Sequence, residues 1–385
     1  MWTGRLLALD AARRKRAITI TSYPSRATPC YGRLVSTEAT GKRVLVTGAG
    51  GWLGGEIAGR LAERGAVVTA LVRRRTEVLR NDGRPASVAR VLTGDVALPQ
   101  FGWDNASWRE AAGSHDLIVH CAALTQFGGD EALTYAVNVG GTAEVVAFAA
   151  SGGMGLLHVS TAYVNGSRAG PVLETDRPAG PFTNAYEASK AEAEALVREA
   201  PVPFAVARPG IVVGDWPEGR VRQFGTFYLL LKALAEGRVT QMPAAPDATL
   251  DLVPVDHVVA GVVDLVERFE EASGGTYHLV SSAPTPVAAF PMMLSRYPGL
   301  CAPELVPPDL FAGRESRVFA RLIAPYAPYF RQNPRFDDAG FRALTGRVCP
   351  EIGPSWWGRL IEFALRAGFL KPSVARAAPA PPPAA

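Results

Sequence analysis

The chain has 385 residues, 48% hydrophobic and 20% charged, which is enough for one large or two medium domains and too apolar for global disorder. Its 39 Gly and 31 Pro follow no collagen period, and its four scattered cysteines lack CxxC or Cys/His ligand spacing, which argues against a disulfide scaffold or a metal site. The net charge of +4 sits at one end: residues 1–40 hold seven Arg/Lys against two acids, so the remainder is close to neutral and offers no footprint for nucleic acid.

Residues 1–40 read as a basic leader. Arg, Ser and Thr dominate, and no apolar segment precedes a small-residue cleavage site, so a secretory signal is not expected. The composition is that of an organelle transit peptide or, more simply, of a disordered extension. Residues 377–385 (AAPAPPPAA) form a Pro/Ala tail. No apolar run is long enough for a membrane span, and a cytoplasmic protein is expected.

From residue 41 short apolar runs alternate with helical patterns. Arg43–Thr47 (RVLVT) reads as a buried strand, Trp52–Arg64 as a helix and Ala66–Val72 as a second strand. A third strand ends before Gly94-Asp95-Val96. Asp116–Cys121, Leu156–Ser160 and Phe204–Ala207 are further strands, with helices over about 130–151 and 183–199 between them. Continuous apolar strands in strand–helix–strand order predict a Rossmann-type α/β fold, a doubly wound parallel sheet. Arg222–Glu236 reads as an apolar helix, either buried or lining a tunnel, and Gly275–Ser281 as a late strand. Residues 284–350 are Pro-rich and broken. Ser355–Phe369 has one apolar face, for docking or, alternatively, for a membrane surface. The expected organisation is a dinucleotide-binding domain over 41–280, with substrate elements from about 212. A smaller substrate-binding region follows over 281–376.

The first strand runs into Gly48-Ala-Gly-Gly51-Trp52-Leu53-Gly54, and a helix follows. In that context Gly48 permits the tight turn and Gly51 lets backbone approach a pyrophosphate. Gly54 lets the helix pack on the strand, and the helix N-terminus faces the phosphates. Out of that context the run would be an ordinary turn. Where an NAD site wants an acid at the end of the second strand, this chain has Arg73, Arg74 and Arg75. An Arg can grip a 2′-phosphate through a bidentate fork, so NADP(H) is the expected cofactor; the alternative is a solvated basic turn. Asp95 would accept from the adenine amine or hold a turn.

Tyr186-Glu-Ala-Ser-Lys190 opens a helix, and i, i+4 spacing puts phenol and ammonium on one face. A nearby ammonium favours phenolate and brings the phenol into range for proton transfer. Ser160-Thr161 ends a strand on the side where such sheets bind ligands, so a hydroxyl there can hold a carbonyl oxygen or cap the next turn.

With these residues in place, the chain resembles an extended short-chain dehydrogenase/reductase. The matching stretches are Thr47–Gly54, Gly94-Asp95-Val96, His120–Ala123, Asn138–Thr142, Ser160-Thr161, Tyr186–Lys190 and Arg208-Pro209-Gly210. The resemblance implies a catalytic set of Thr161, Tyr186 and Lys190, with Pro209 and Gly210 flanking the nicotinamide. The implied cofactor-binding set is Gly48, Gly51, Trp52, Leu53, Gly54, Arg73, Asp95, Val96, Ala122, Tyr186, Lys190, Pro209 and Gly210. Within the superfamily, His120–Phe127 (HCAALTQF), His158–Gly166 (HVSTAYVNG) and Asp251–Val258 (DLVPVDHV) resemble the branch of fatty acyl-CoA reductases and carrier-protein thioester reductases, which use NADPH. The expected reaction is reduction of an acyl thioester, free or carrier-bound, to aldehyde or alcohol. The alternatives are a ketone or hydroxysteroid reductase and a nucleotide-sugar epimerase or dehydratase. The expected partners are that small acyl or carbonyl substrate and a second copy of the chain in a homodimer.

Overall fold

The computed structural model describes residues 41–74, 76–311 and 324–372. The basic leader, Arg75 and the Pro/Ala tail lie outside the described residues. At the centre is a seven-stranded parallel sheet. Its strands are β1 (Arg43–Thr47), β2 (Val67–Val72), β3 (Arg90–Thr93), β4 (Leu117–His120), β5 (Gly155–Val159), β6 (Phe204–Pro209) and β9 (Thr276–Leu279). The short strands β7 (Ile211–Val213) and β8 (Leu252–Pro254) pair beside it. The spatial order is β9-β6-β5-β4-β1-β2-β3, so the order reverses between β1 and β4. Ligands of open α/β sheets bind at that reversal, beyond the C-terminal strand ends.

The strands read as continuous apolar runs because both faces are covered. Val44 and Val46 enter one hydrophobic cluster and Leu45 the other, all fully buried. One face carries α2 (Asn105–Ala112), α3 (Glu131–Gly152) and α4 (Ala185–Arg198). Beneath α2 and α3, Phe101, Trp108 and Phe148 pack with ring centroids 4.6–5.2 Å apart. The other face carries α1 (Trp52–Glu63) and α6 (Val255–Glu267), which pack on each other. Helix α3 has the length and mean hydropathy of a membrane span, 22 residues at 1.2, but half of its apolar window is buried within the protein. It serves as a core helix. Among the described residues Cys121, Cys301 and Cys349 are free thiols.

The C-terminal part departs from the sequence expectation in two places. The expected helix over 222–236 starts later, as α5 (Thr226–Ala235), because Gly225 takes the N-cap. Phe224 is left outside it and stacks on Phe369 at 4.0 Å. Nor is α5 buried all round, since Leu229 is 54% exposed. Helix α6 carries no strand or helix expectation of its own in the sequence. By contrast, the apolar face over 355–369 is a docking helix, α7 (Pro354–Arg366). It buries Trp356, Trp357, Leu360 and Ile361, and the Trp356 indole donates to the Asp215 carbonyl at 3.2 Å.

A buried ion pair ties β6 to α4. The Arg208 guanidinium donates to both Glu194 oxygens at 2.9 and 2.8 Å and to the Asp176 carbonyl at 3.0 Å. Burial alone would raise the Glu194 carboxyl, but Arg208 outweighs it and holds the group below its ordinary range. Removing Arg208 leaves the buried Glu194 carboxylate with Arg198, at 3.3 Å, as its remaining ion-pair partner. Arg208→Leu is therefore expected to lower unfolding free energy in urea by about 3–5 kcal/mol. A loss below about 1 kcal/mol, the range of exposed pairs, would contradict this reading.

Candidate active site

The turn after β1 is built for close approach. Gly48 has φ 69°, and a Cβ there would lie 2.7 Å from the Ala122 amide at the end of β4. The Gly51 amide donates to the Gly48 carbonyl at 2.9 Å. A Cβ on Gly54 would lie 2.4 Å from that same carbonyl oxygen, so the first turn of α1 sits directly on the loop. The N-cap of α1, Gly51, offers no side chain to the first-turn amides, whereas Asp104 and Asn184 cap α2 and α4. Open amides at the positive end of a helix suit an anion. Trp52 is fixed by its indole, which donates to Asn81 Oδ1 at 2.7 Å.

These features fit the diphosphate of a dinucleotide. Arg73 and Arg74 stand exposed at the end of β2 and line the same cavity; Arg75 is not among the described residues. Asp95 also lines it, while its Oδ1 accepts from the Ala97 amide at 3.0 Å and so holds the turn. Val96, Ala122, Pro209 and Gly210 complete the cleft.

The cavity continues past the ends of β4 and β5, with a volume of about 670 Å³. Thr161 follows β5 with Ser160 between them. The Thr161 hydroxyl is close enough to the Tyr186 phenol to lower its pKa, accepts from the Tyr163 amide at 3.3 Å and lies 3.4 Å from the Pro209 carbonyl. Tyr186 is held in the first turn of α4 by the Asn184 cap, which accepts from the Glu187 amide at 3.0 Å. Burial pushes the Tyr186 phenol above its ordinary value, the charge of Glu187 adds to this, and the nearby Thr161 hydroxyl offsets part of it.

Lys190 is fully buried. Its ammonium donates to the Val159 carbonyl at 2.8 Å and lies 3.1 Å from His158 Nε2. The ammonium is thus held by the end of β5, with no hydrogen bond to the phenol among the described residues. Burial brings Lys190 down to about 8, against the opposing pull of Glu194 and Cys121.

The whole set expected from the sequence, so far as it is described, lines this one cavity. The expectation lacked the aromatic wall opposite. Phe127 stacks on Tyr329 at 5.8 Å with planes 6° apart and lies 5.5 Å from Tyr326 and 6.1 Å from Tyr186. Tyr329 bonds Asn184 at 2.8 Å and also Glu187. Phe227 and Leu230 of α5 line the chamber as well. Phe127 and Tyr163 lie inside motifs quoted for the family resemblance, whereas Tyr326 and Tyr329 come from the broken region and carry no local signal.

A doubly wound sheet with a glycine turn at its reversal point and a Tyr–x–x–x–Lys helix beside it defines an oxidoreductase of the extended short-chain dehydrogenase/reductase class. The chain belongs to the male sterility protein family of NAD-binding domains, whose model matches residues 46–262. It is 30% identical over 247 residues to a hybrid PKS-NRPS synthetase of Talaromyces variabilis, covering 60% of this chain and 6% of that synthetase. It is also 30% identical over 343 residues to sterol demethylase protein B of Methylococcus capsulatus, covering 84% of this chain and 95% of that protein. Among solved structures it resembles the terminal R domain of the myxalamid PKS-NRPS pathway. The TM-score is 0.74 at 26% identity, over 88% of this chain and 94% of that one.

The fit of Gly54 against Gly48 gives a direct check. Gly54→Ala must open the loop, and overpacking of this kind costs about 1–3 kcal/mol. Dinucleotide affinity measured by calorimetry is expected to fall about tenfold or more, with the far-UV spectrum retained. Unchanged affinity would contradict the assignment of this loop to the cofactor.

Proposed function

We propose that the protein is an NADPH-dependent reductase of a carbonyl group in an apolar substrate, and that this substrate is an acyl thioester. One observation carries the reading: two hydroxyl residues, Thr161 and Tyr186, line one aromatic-walled chamber that is continuous with the glycine loop, near enough that Thr161 lowers the phenol's pKa. When bound, the cofactor supplies hydride to the carbonyl carbon. The chain's own part is to hold the carbonyl oxygen between Thr161 and Tyr186, where negative charge develops. Burial keeps the phenol protonated at neutral pH, so Tyr186 acts as donor, and its proton passes to that oxygen as charge builds. The hemithioacetal formed from a thioester then expels its thiol and leaves an aldehyde. Phe127, Tyr329 and Phe227 exclude water and bury the acyl chain.

A second reading, reduction of a sterol or steroid ketone, has its own support. The Methylococcus relative matches nearly end to end, whereas the synthetase relative covers less of this chain. Nearly parallel Phe127 and Tyr329 rings also suit a flat ligand.

The preference for NADPH rests on Arg73 and Arg74. Charge-assisted hydrogen bonds are worth about 1.5–3 kcal/mol each. Replacing both with Ser is expected to weaken NADPH about 10- to 100-fold in direct binding and to leave NADH nearly unchanged. Equal binding of both cofactors by the wild type would remove the preference.

The substrate is tested by following NADPH oxidation with acyl-CoAs of increasing length and with a ketosteroid. Each buried methylene contributes about 0.8 kcal/mol, so two further carbons are expected to raise kcat/KM about tenfold until the chamber is filled. Tyr186→Phe is expected to cut turnover about 100-fold while cofactor affinity holds. A flat response to acyl length together with robust turnover of the ketosteroid would favour the second reading.

A further inference from the structure

Two histidines lie side by side under the site. His120 of β4 and His158 of β5 are register partners with ring centroids 5.3 Å apart, and neither reaches solvent. Their bonding differs. Thr142 Oγ1 donates to the Asn138 carbonyl at 2.6 Å, so it accepts from His120 Nε2 at 3.0 Å. His120 Nδ1 is then left to accept from Thr47 Oγ1 at 2.7 Å. That order of donors uses both ring nitrogens of a neutral imidazole.

His158 is arranged otherwise. Its Nε2 faces the Lys190 ammonium at 3.1 Å. An ammonium has three protons and no lone pair, so Nε2 must be the acceptor and the ring proton sits on Nδ1. Nδ1 is buried without a hydrogen-bond partner. A buried donor left unpaired is a cost to the fold; what the arrangement supplies is an acceptor for Lys190.

We infer that His158 is a positioning residue for Lys190. As a neutral imidazole it takes one ammonium proton, and the Val159 carbonyl takes a second. The third is left for the cleft, toward a ribose hydroxyl of the dinucleotide's nicotinamide half. This rests on the reading that places Lys190 at the cofactor.

The surroundings keep the ring neutral. Lys190, His120 and Arg198 all disfavour a charge on His158, and burial does so most. Around Lys190 stand His158 and His120 from the strands, Cys121 beyond β4, and Glu194 and Tyr186 from its own helix. Burial already brings the ammonium down to about 8. A hydrogen bond accepted by His158 favours the charged form, so removing the acceptor lowers that value further. Cofactor binding that needs the ammonium is complete below this pH and is lost as pH rises through it. Without the acceptor the loss comes at lower pH.

The test is NADPH binding by calorimetry across neutral to alkaline pH, using the full chain. His158→Leu is expected to move the midpoint of the alkaline loss down by about one pH unit and to weaken binding about fivefold near the wild-type midpoint. His158→Gln, whose amide oxygen can accept, is expected to keep the wild-type profile. If His158→Leu has the wild-type midpoint, or His158→Gln is as impaired as His158→Leu, the inference is overturned. Lys190→Met separates the underlying reading: wild-type affinity in that variant removes Lys190 from the cofactor and this inference with it. If His158→Leu does not fold, ring ¹⁵N shifts in histidine-labelled wild type decide. A protonated Nδ1 beside a bare Nε2 upholds the inference, and a protonated Nε2 overturns it.

Discussion

An ammonium inside an apolar interior needs acceptors, and the site is arranged around how Lys190 obtains them. The side chain leaves α4 and reaches the end of β5, where the Val159 carbonyl and His158 receive it. That anchoring sets where α4 lies against the sheet and hence where Tyr186, one turn earlier, presents its phenol. The Asn184 cap and the Arg208–Glu194 pair fix the same helix at its start and toward its end. Tyr186 and Thr161 therefore line the cavity on a rigid support, which suits the charge-stabilising role proposed for them.

The same burial divides the proposed roles. Desolvation raises the phenol and lowers the ammonium, so both shift toward their neutral forms. The sequence predicts a phenolate favoured by a neighbouring ammonium; in the proposed reaction burial instead keeps the phenol protonated, ready to donate to the carbonyl oxygen. A donor suits reduction, in which the carbonyl oxygen gains charge. In the proposed reaction the aromatic wall reinforces this, because shielding from water strengthens each remaining polar contact. Acyl and steroid substrates share these demands and differ in shape, so the outline of the chamber between Phe127, Tyr329 and α5 separates the two readings.

Much of the nucleotide half was legible in sequence because its signals are local. Gly48, Gly51 and Gly54 act within one turn, and the strand before them and helix after them show their own patterns. Thr161 and Tyr186–Lys190 were legible through spacing and family resemblance. What sequence did not disclose depends on contacts between distant segments. Tyr329 lies 142 positions from Glu187, yet bonds it and walls the chamber. Helix α6 is rich in β-branched residues (VDHVVAGVVDLVE), which suit strands locally. Packing on α1 and the sheet makes it helical, a tertiary override of propensity. The start of α5 at Thr226 was missed because Phe224 continues the apolar pattern while Gly225 ends the preceding loop.

The central claim is that this cleft passes hydride to the carbonyl of an apolar thioester held between Thr161 and Tyr186. Isotope transfer tests it most directly. The full chain is incubated with dodecanoyl-CoA and NADPH carrying deuterium on one face of the nicotinamide C4, and the products are analysed by mass spectrometry. The account predicts dodecanal or dodecanol with deuterium at C1 from one face of the label and none from the other. Unlabelled or absent product, with label instead carried into the alcohol formed from a ketosteroid, would contradict it.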